Sequence, residues 1–412
     1  MSVSNLRHVA AQLSLPLAHL IATVSSSATM LAVMVTVAQG EFAGWAVAAV
    51  LLSVAIPQIV LAPLAAPLLD RFGPRTIVVS SCAAQIVLLL GAAMMPSTAM
   101  IVAMVAARSC VSALDSAALL LLADRAPRAA ADDSTARAFA RLDTARLVGG
   151  LIGPVLGGIA VQYLNISWLF VAQAGAVALL GVIARFYPQT TPTQSPVTTS
   201  WWHRVAEAPR LLFRNDAARM ALSGLVLAIV FTSLFSTAQT LYALNVLALT
   251  PLGVAILTQC FIVGRLVGSR IGARVTSTTA RWWLIGATGT MGVGLLIPGL
   301  IRIDIAAGVG FAIAGLSNAV QVAAIRLIVV DAVPDNTRGR ALAAMGSVNQ
   351  TAGVVGTALA APTLALVGPA GALIVAGAGT LIAALLTAMV RSRPTRTKPT
   401  DDVPATTDAI GT

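Results

Sequence analysis

Two ionisable side chains stand where ionisable side chains are costly. Arg108 and Asp115 both fall in the apolar run 98–122, seven residues apart, which on a helix is two turns along one face. If that run crosses a bilayer, a charge near its middle costs about 2.5–3.5 kcal/mol on the insertion scale, so a functional site is the default reading. A carboxyl there can carry a proton: burial penalises its charge, a nearby guanidinium favours it, and a change of surroundings toggles it. Seven residues rise about 10 Å, too far for a direct ion pair without water or a third group. The competing reading is a buried structural pair or, for Asp115 near the end of the run, a snorkelling or solvated group.

Other chemistries find little support. The chain has three histidines, His8, His19 and His203, and no HExxH, GxSxG, Walker loop or CxxC. Cys82, Cys110 and Cys260 lie far apart inside apolar stretches, so they read as packing residues rather than disulfide partners or metal ligands. No catalytic residue, metal or cofactor is expected. The chain does not read as an enzyme.

The elements that must position Arg108 and Asp115 follow from composition. Of 412 residues, 58% are hydrophobic and only 10% charged, and mean hydropathy is +0.89. Soluble domains carry about 25% charged residues, so this chain cannot coat a water-facing surface and must lie in a lipid bilayer. The 26 Lys+Arg outnumber the 15 Asp+Glu, but they sit in short gaps between apolar runs rather than on one polar face, which excludes a nucleic-acid partner.

A span needs about 20 apolar residues. Runs of that kind occur near 15–38, 45–68, 76–95, 98–122, 145–163 and 167–186, then near 218–241, 250–269, 282–301, 305–330, 341–364 and 369–390. This predicts an all-α membrane protein of about twelve helices; short alternating strands, as a β-barrel needs, are missing. One set of gaps carries clustered arginines, and the other is short with almost no cation beyond Arg302. Basic loops stay in the cytoplasm, so both termini are expected there, in a multi-pass protein of the cell membrane. The expected organisation is a six-helix bundle over 1–187, a cytoplasmic linker with an interfacial helix over 188–217, a second bundle over 218–391 and a cytoplasmic tail over 392–412. The halves echo each other: the fourth run ends in LLLLADRAP and the tenth in RLIVVDAVP. Two bundles in parallel repeat suit a secondary transporter with a midplane site between them.

The gap between spans two and three reads APLLDRFGPR from Ala66 to Arg75. Gly73 permits a tight turn, and Asp70, Arg71 and Arg75 place both signs at helix ends, where they could latch one bundle to the other. The alternative is a plain topology-setting loop. This stretch resembles the major facilitator superfamily, whose signature in this loop is G-x-L-x-D-R-x-G-R-K. Leu68, Asp70, Arg71, Gly73 and Arg75 match; Ala66 and Pro74 depart. A weaker copy, RLVGSRIGAR from Arg265 to Arg274, has Ser269 where the acid would stand. The resemblance implies alternating access, with spans one, four, seven and ten lining the cavity. Arg108 also fits the family's span-four pattern R-x-x-x-G-x-x-x-A, with Ser112 at its glycine.

Span five contains GGLIGPVLGG from Gly149 to Gly158. Gly153, Pro154, Gly157 and Gly158 make a flat, kinkable strip on which a helix of the other half can pack and slide, or simply a small-residue contact. The family's exporters of substrate against protons carry a longer form, of which the core G-P-x-x-G-G is present. Ser26 and Met30 in span one, Phe231, Phe235 and Gln239 in span seven, and Asn318 and Gln321 in span ten are candidate cavity residues. The same side chains could equally be interhelical glue or core. The resulting expectation is a monomeric, proton-coupled exporter of small amphipathic or lipophilic compounds. An uptake carrier for a small metabolite or peptide, or a non-transporting sensor or assembly partner of the same fold, stands as the alternative.

Overall fold

A computed structural model describes residues 3–40, 42–61, 65–95, 97–124, 135–187, 216–331 and 338–389. The expected interfacial helix and tail lie outside these. Among the described residues all regular structure is helical. The helices are α1 (Val3–Ala38), α2 (Ala43–Leu61), α3 (Ala65–Phe72), α4 (Pro74–Met94), α5 (Thr98–Asp124), α6 (Thr135–Tyr163) and α7 (Ile166–Arg185), followed by α8 (Asp216–Asn245), α9 (Pro251–Gly272), α10 (Ala280–Leu300), α11 (Asp304–Asp331) and α12 (Arg338–Met389). In lipid every backbone N–H and C=O must be satisfied within the segment, which is why apolar runs of this length become helices.

Eleven helical stretches among the described residues are long and apolar enough to cross a membrane, and the last, Met345–Met389, has 45 residues. A helix that long would extend about 67 Å, twice the hydrocarbon core. It breaks at Gly368, where φ is 69° and ψ 176° and Pro369 follows, so α12 supplies two spans and the count is twelve. Those angles lie in a region open essentially only to glycine. Gly368→Val should therefore cost about 1–3 kcal/mol, read as a lower thermal midpoint in detergent, while Gly346→Ala, with open space around it, should leave the midpoint unchanged.

Span two is shorter than its apolar run. α2 ends at Leu61, and residues 65–68 of the run belong to α3, which carries Leu68 and Asp70. The short connections are capped by their own residues. Asn165 accepts the Ser167 N–H at 3.1 Å at the start of α7, and Thr250 accepts the Gly253 N–H at 3.3 Å at the start of α9.

Packing follows a repeat. In the first half α1 lies on α6 and α7, α2 on α5, and α4 on α5 and α7. In the second half α8 lies on α12, α9 on α11, and α10 on α11 and α12, the same pairs six spans later. The halves meet where α6 touches α9 and α2 touches α12, two contacts that the repeat exchanges. This is two six-helix bundles in parallel repeat. Both contacts involve the short-loop end: Gly44 faces Leu364, and Gly158 faces Pro251 and Leu252.

Candidate functional site

Arg108 and Asp115 open onto a cavity of about 250 Å³ walled by α1, α4, α5, α6 and α7. The enclosure lies within the first bundle, not between the two. The charges do not bond to each other; each holds a neutral partner from another helix. Arg108 Nη2 donates to Ser26 Oγ of α1. Asp115 Oδ2 accepts from Gln85 Nε2 of α4 at 3.0 Å. The two-turn spacing on α5 thus points both groups into one space and leaves a gap between them. Arg108 Nε is buried with no hydrogen-bond acceptor, an uncompensated N–H that a ligand or water could satisfy.

Ser112 sits midway and is tied twice. It accepts from Gln58 Nε2 of α2 at 3.2 Å and donates to the Ser109 carbonyl at 3.3 Å. The residue that departs from the family's glycine therefore supplies a polar link across the bundle. His19 of α1 and Arg146 of α6 complete the wall. Of these residues, Ser26 was legible as a cavity candidate. Gln85, Gln58, His19 and Arg146 were not, although each is a polar side chain in or at the edge of an apolar run, the signal that marked Asp115.

The second-half candidates are placed differently. Phe235 packs edge-on against Phe311 of α11, ring centroids 4.7 Å apart, and at a 37° tilt against Phe261 of α9 at 5.5 Å, and it is 4% exposed. Gln321 donates to Thr288 Oγ1 of α10 at 2.9 Å, fully inside its bundle. Met30 and Phe231 pack against the core, and Gln239 and Asn318 are half-buried. Phe235 and Gln321 thus make the interhelical contacts that were the alternative reading.

The glycine strip has two faces. A Cβ on Gly149 would lie 2.8 Å from Thr23 Cβ, and one on Gly153 2.5 Å from the Val24 carbonyl; one on Gly157 would collide with the Ala28 backbone. These three seat α6 on α1, inside the same bundle. Only Gly158 turns to the other half, where a Cβ would lie 2.9 Å from Ala255 Cβ. Pro154 is half-buried between them.

In the loop after α2, Gly73 has φ 75° and ψ 155° and leads into α4, with Pro74 at its first position. Only glycine adopts that geometry readily, and proline suits the next position because its missing N–H would be unpaired there anyway. Arg71 is exposed and stands 5.2 Å over the Phe72 ring, and Arg75 is half-buried. The side chain of Asp70 lies outside the described residues.

The chain matches a family model, Major Facilitator Superfamily, over residues 15–301. By sequence alone no curated protein matches it. Among solved structures, its fold is similar to that of the nucleoside transporter NupG, at 10% identity and a TM-score of 0.74, over 92% of this chain and 98% of that one. It is also similar to a POT family transporter in complex with 5-aminolevulinic acid (13% identity, TM-score 0.69, 91% and 94% covered). The human organic anion transporter MFSD10 (TETRAN) is a third (14% identity, TM-score 0.62, 92% and 99% covered). Such identities carry the fold alone. With the family model spanning most of the chain and the repeat-related bundles in place, the protein belongs to the major facilitator superfamily and is a multi-pass membrane transporter of the alternating-access type.

Proposed function

We propose that the chain couples proton movement to the export of small amphipathic or lipophilic compounds, with Asp115 as the proton carrier. The observation that carries this reading is the placement of Asp115: a carboxyl inside a bilayer-spanning helix, held by the neutral Gln85, seven residues from Arg108 in a common cavity. At about 250 Å³ that cavity is smaller than the roughly 300–1,000 Å³ of pockets that enclose drug-sized molecules. It suits a proton, water or a small charged group better than a whole amphipathic substrate. The substrate then binds between the bundles, and rocking about the contacts of Gly158 and Gly44 changes the surroundings of Asp115.

In one state Asp115 holds a proton and Gln85 donates to its other oxygen. In the other state the cavity communicates with the opposite face and the proton leaves. Arg108, anchored by Ser26, sets the field that makes release possible without pairing with the carboxylate. The loop of Asp70, Arg71, Gly73 and Arg75 acts as the latch at the basic-loop end. That end is assigned to the cytoplasm of a cell membrane, with 1–187 and 218–391 as the moving units of a monomer.

A second reading, uptake of a small charged metabolite, has support from the same wall, which Arg108, Arg146 and His19 line together with one carboxyl, that of Asp115. The similar structures include a nucleoside transporter and a peptide transporter. Flux in inverted vesicles separates the two. Export predicts accumulation of lipophilic dyes driven by an acid interior; uptake predicts dye indifference and movement of a polar solute in the other direction.

The Arg108 anchor is testable on its own. Hydrogen bonds to charged groups contribute about 1.5–3 kcal/mol, so Ser26→Ala should lower the thermal midpoint and weaken gradient-driven transport several-fold. Ser26→Thr, which keeps the hydroxyl, should restore most of both.

A further inference from the structure

A second cavity, of about 650 Å³, opens on the outside of the second bundle between α9, α10 and α11 at the basic-loop end. Its wall is mainly apolar, with Trp282 and Trp283 at the mouth, Ile271 from α9, and Leu316 and Val320 from α11, and Thr279, Thr290 and Ser317 as its hydroxyl-bearing members. Trp282 is 70% exposed, and on a membrane-spanning helix an exposed face looks at lipid. Gly286 forms part of the floor, and a Cβ there would meet nothing within 4 Å. The tryptophans start α10, at the depth where indole rings collect between headgroups and chains.

The segment that borders this groove carries charge of one sign. Between residues 265 and 281 there are four arginines and no acidic residue. Arg270 and Arg274 flank Ile271 and are exposed. In the first half the matching loop carries Asp70; here Ser269 takes its place, and its hydroxyl turns back to the Leu266 carbonyl at 2.7 Å. Arg281 lies 5.8 Å over the Trp282 ring and reaches the Ala388 carbonyl at 3.4 Å, which ties the mouth of the groove to α12. On the packed helix α11, Arg326 and Asp331 are both exposed.

We infer that this groove holds one anionic phospholipid from the leaflet beside the basic loops, with an acyl chain along Trp282, Gly286 and Leu316 and the phosphate against Arg270 and Arg274. An apolar slot with exposed guanidinium groups beside its headgroup end is complementary to that molecule. Where the first loop has Asp70, the second has Ser269 and thus offers a lipid-binding position in place of a latch. Lipid retention is read without transport, so this inference stands apart from the proton-coupling proposal.

The test is native mass spectrometry of the purified full-length protein titrated with palmitoyl-oleoyl phosphatidylglycerol and, separately, with the matching phosphatidylcholine. The parent should retain one phosphatidylglycerol in preference to phosphatidylcholine. Each basic residue near an anionic surface contributes about fivefold in affinity, so R270Q/R274Q should weaken retention about twenty-five-fold. Gly286→Trp fills open space and should abolish retention by occupation, with the arginines intact. Arg302→Gln, at the other membrane face, should change nothing. Equal retention of phosphatidylcholine by the parent, unchanged retention in both groove variants, or displacement of the lipid by a lipophilic dye at stoichiometric amounts overturns the inference.

Discussion

Asp115→Asn should abolish the response of transport to a pH gradient while leaving downhill movement of the same solute intact. A one-unit gradient is worth about 1.4 kcal/mol per proton, which drives up to about tenfold accumulation for each proton exchanged. In proteoliposomes the parent should reach that ratio with a transported dye and lose it when an ionophore collapses the gradient. The Asn variant should sit at the collapsed level with or without the ionophore. The amide keeps the size and the contact with Gln85 but cannot carry a proton, so a merely structural Asp115 would tolerate it. A variant that still accumulates dye in proportion to the gradient removes Asp115 from coupling. Downhill flux measured in the same vesicles guards against a misfolded sample.

The second large effect concerns the two faces of the strip on α6. Gly153→Val should destabilise the protein by about 1–3 kcal/mol or more, because its Cβ would lie 2.5 Å from the Val24 carbonyl and 2.6 Å from Ser27 Cβ, and backbone cannot move aside cheaply. Loss of folded yield and a lower thermal midpoint measure this. Gly150→Ala, with nothing within 4 Å of its Cβ, should match the parent. Gly158→Leu, by contrast, pushes on Pro251, Leu252 and Ala255 of the other half. It should leave each bundle folded and lower transport by holding the short-loop end apart. Equal damage to folding from Gly153→Val and Gly158→Leu would contradict the division of the strip.

Much of the architecture was legible because lipid removes choices. A run of about 20 apolar residues has only a helix to form, and the two last runs become two spans because α12 breaks at Gly368-Pro369, a break marked in the residues themselves. Arg108 and Asp115 stood out for the same reason: a charge in such a run is too costly to be incidental. Their partners were hidden. Periodicity tells which face of α5 they share, but not that α4 offers Gln85 and α1 offers Ser26 to that face. The glycine strip shows the same limit. Its flatness is written in GGLIGPVLGG, whereas the identity of its neighbour depends on tertiary packing, and three of its glycines lie on α1 rather than on the other bundle. Phe235 and Gln321 share the helix faces expected of cavity residues, yet Phe311 and Thr288 from adjacent helices cover them. A single-helix reading cannot see what covers a face.

Alternating access is the central claim, and its most direct test is a reversible lock at the short-loop end. Gly158 and Ala255 bring Cβ positions within 2.9 Å, close enough for a disulfide whose Cβ atoms sit about 3.8 Å apart after slight relaxation. Cysteines placed at both positions, in a background where Cys82, Cys110 and Cys260 are replaced by serine or alanine, tie α6 to α9. With cross-linking complete by mass, transport should stop on oxidation and return on reduction. Transport that continues at the parent rate through a fully formed cross-link would show that the two bundles need not part there, and the rocking account would fail.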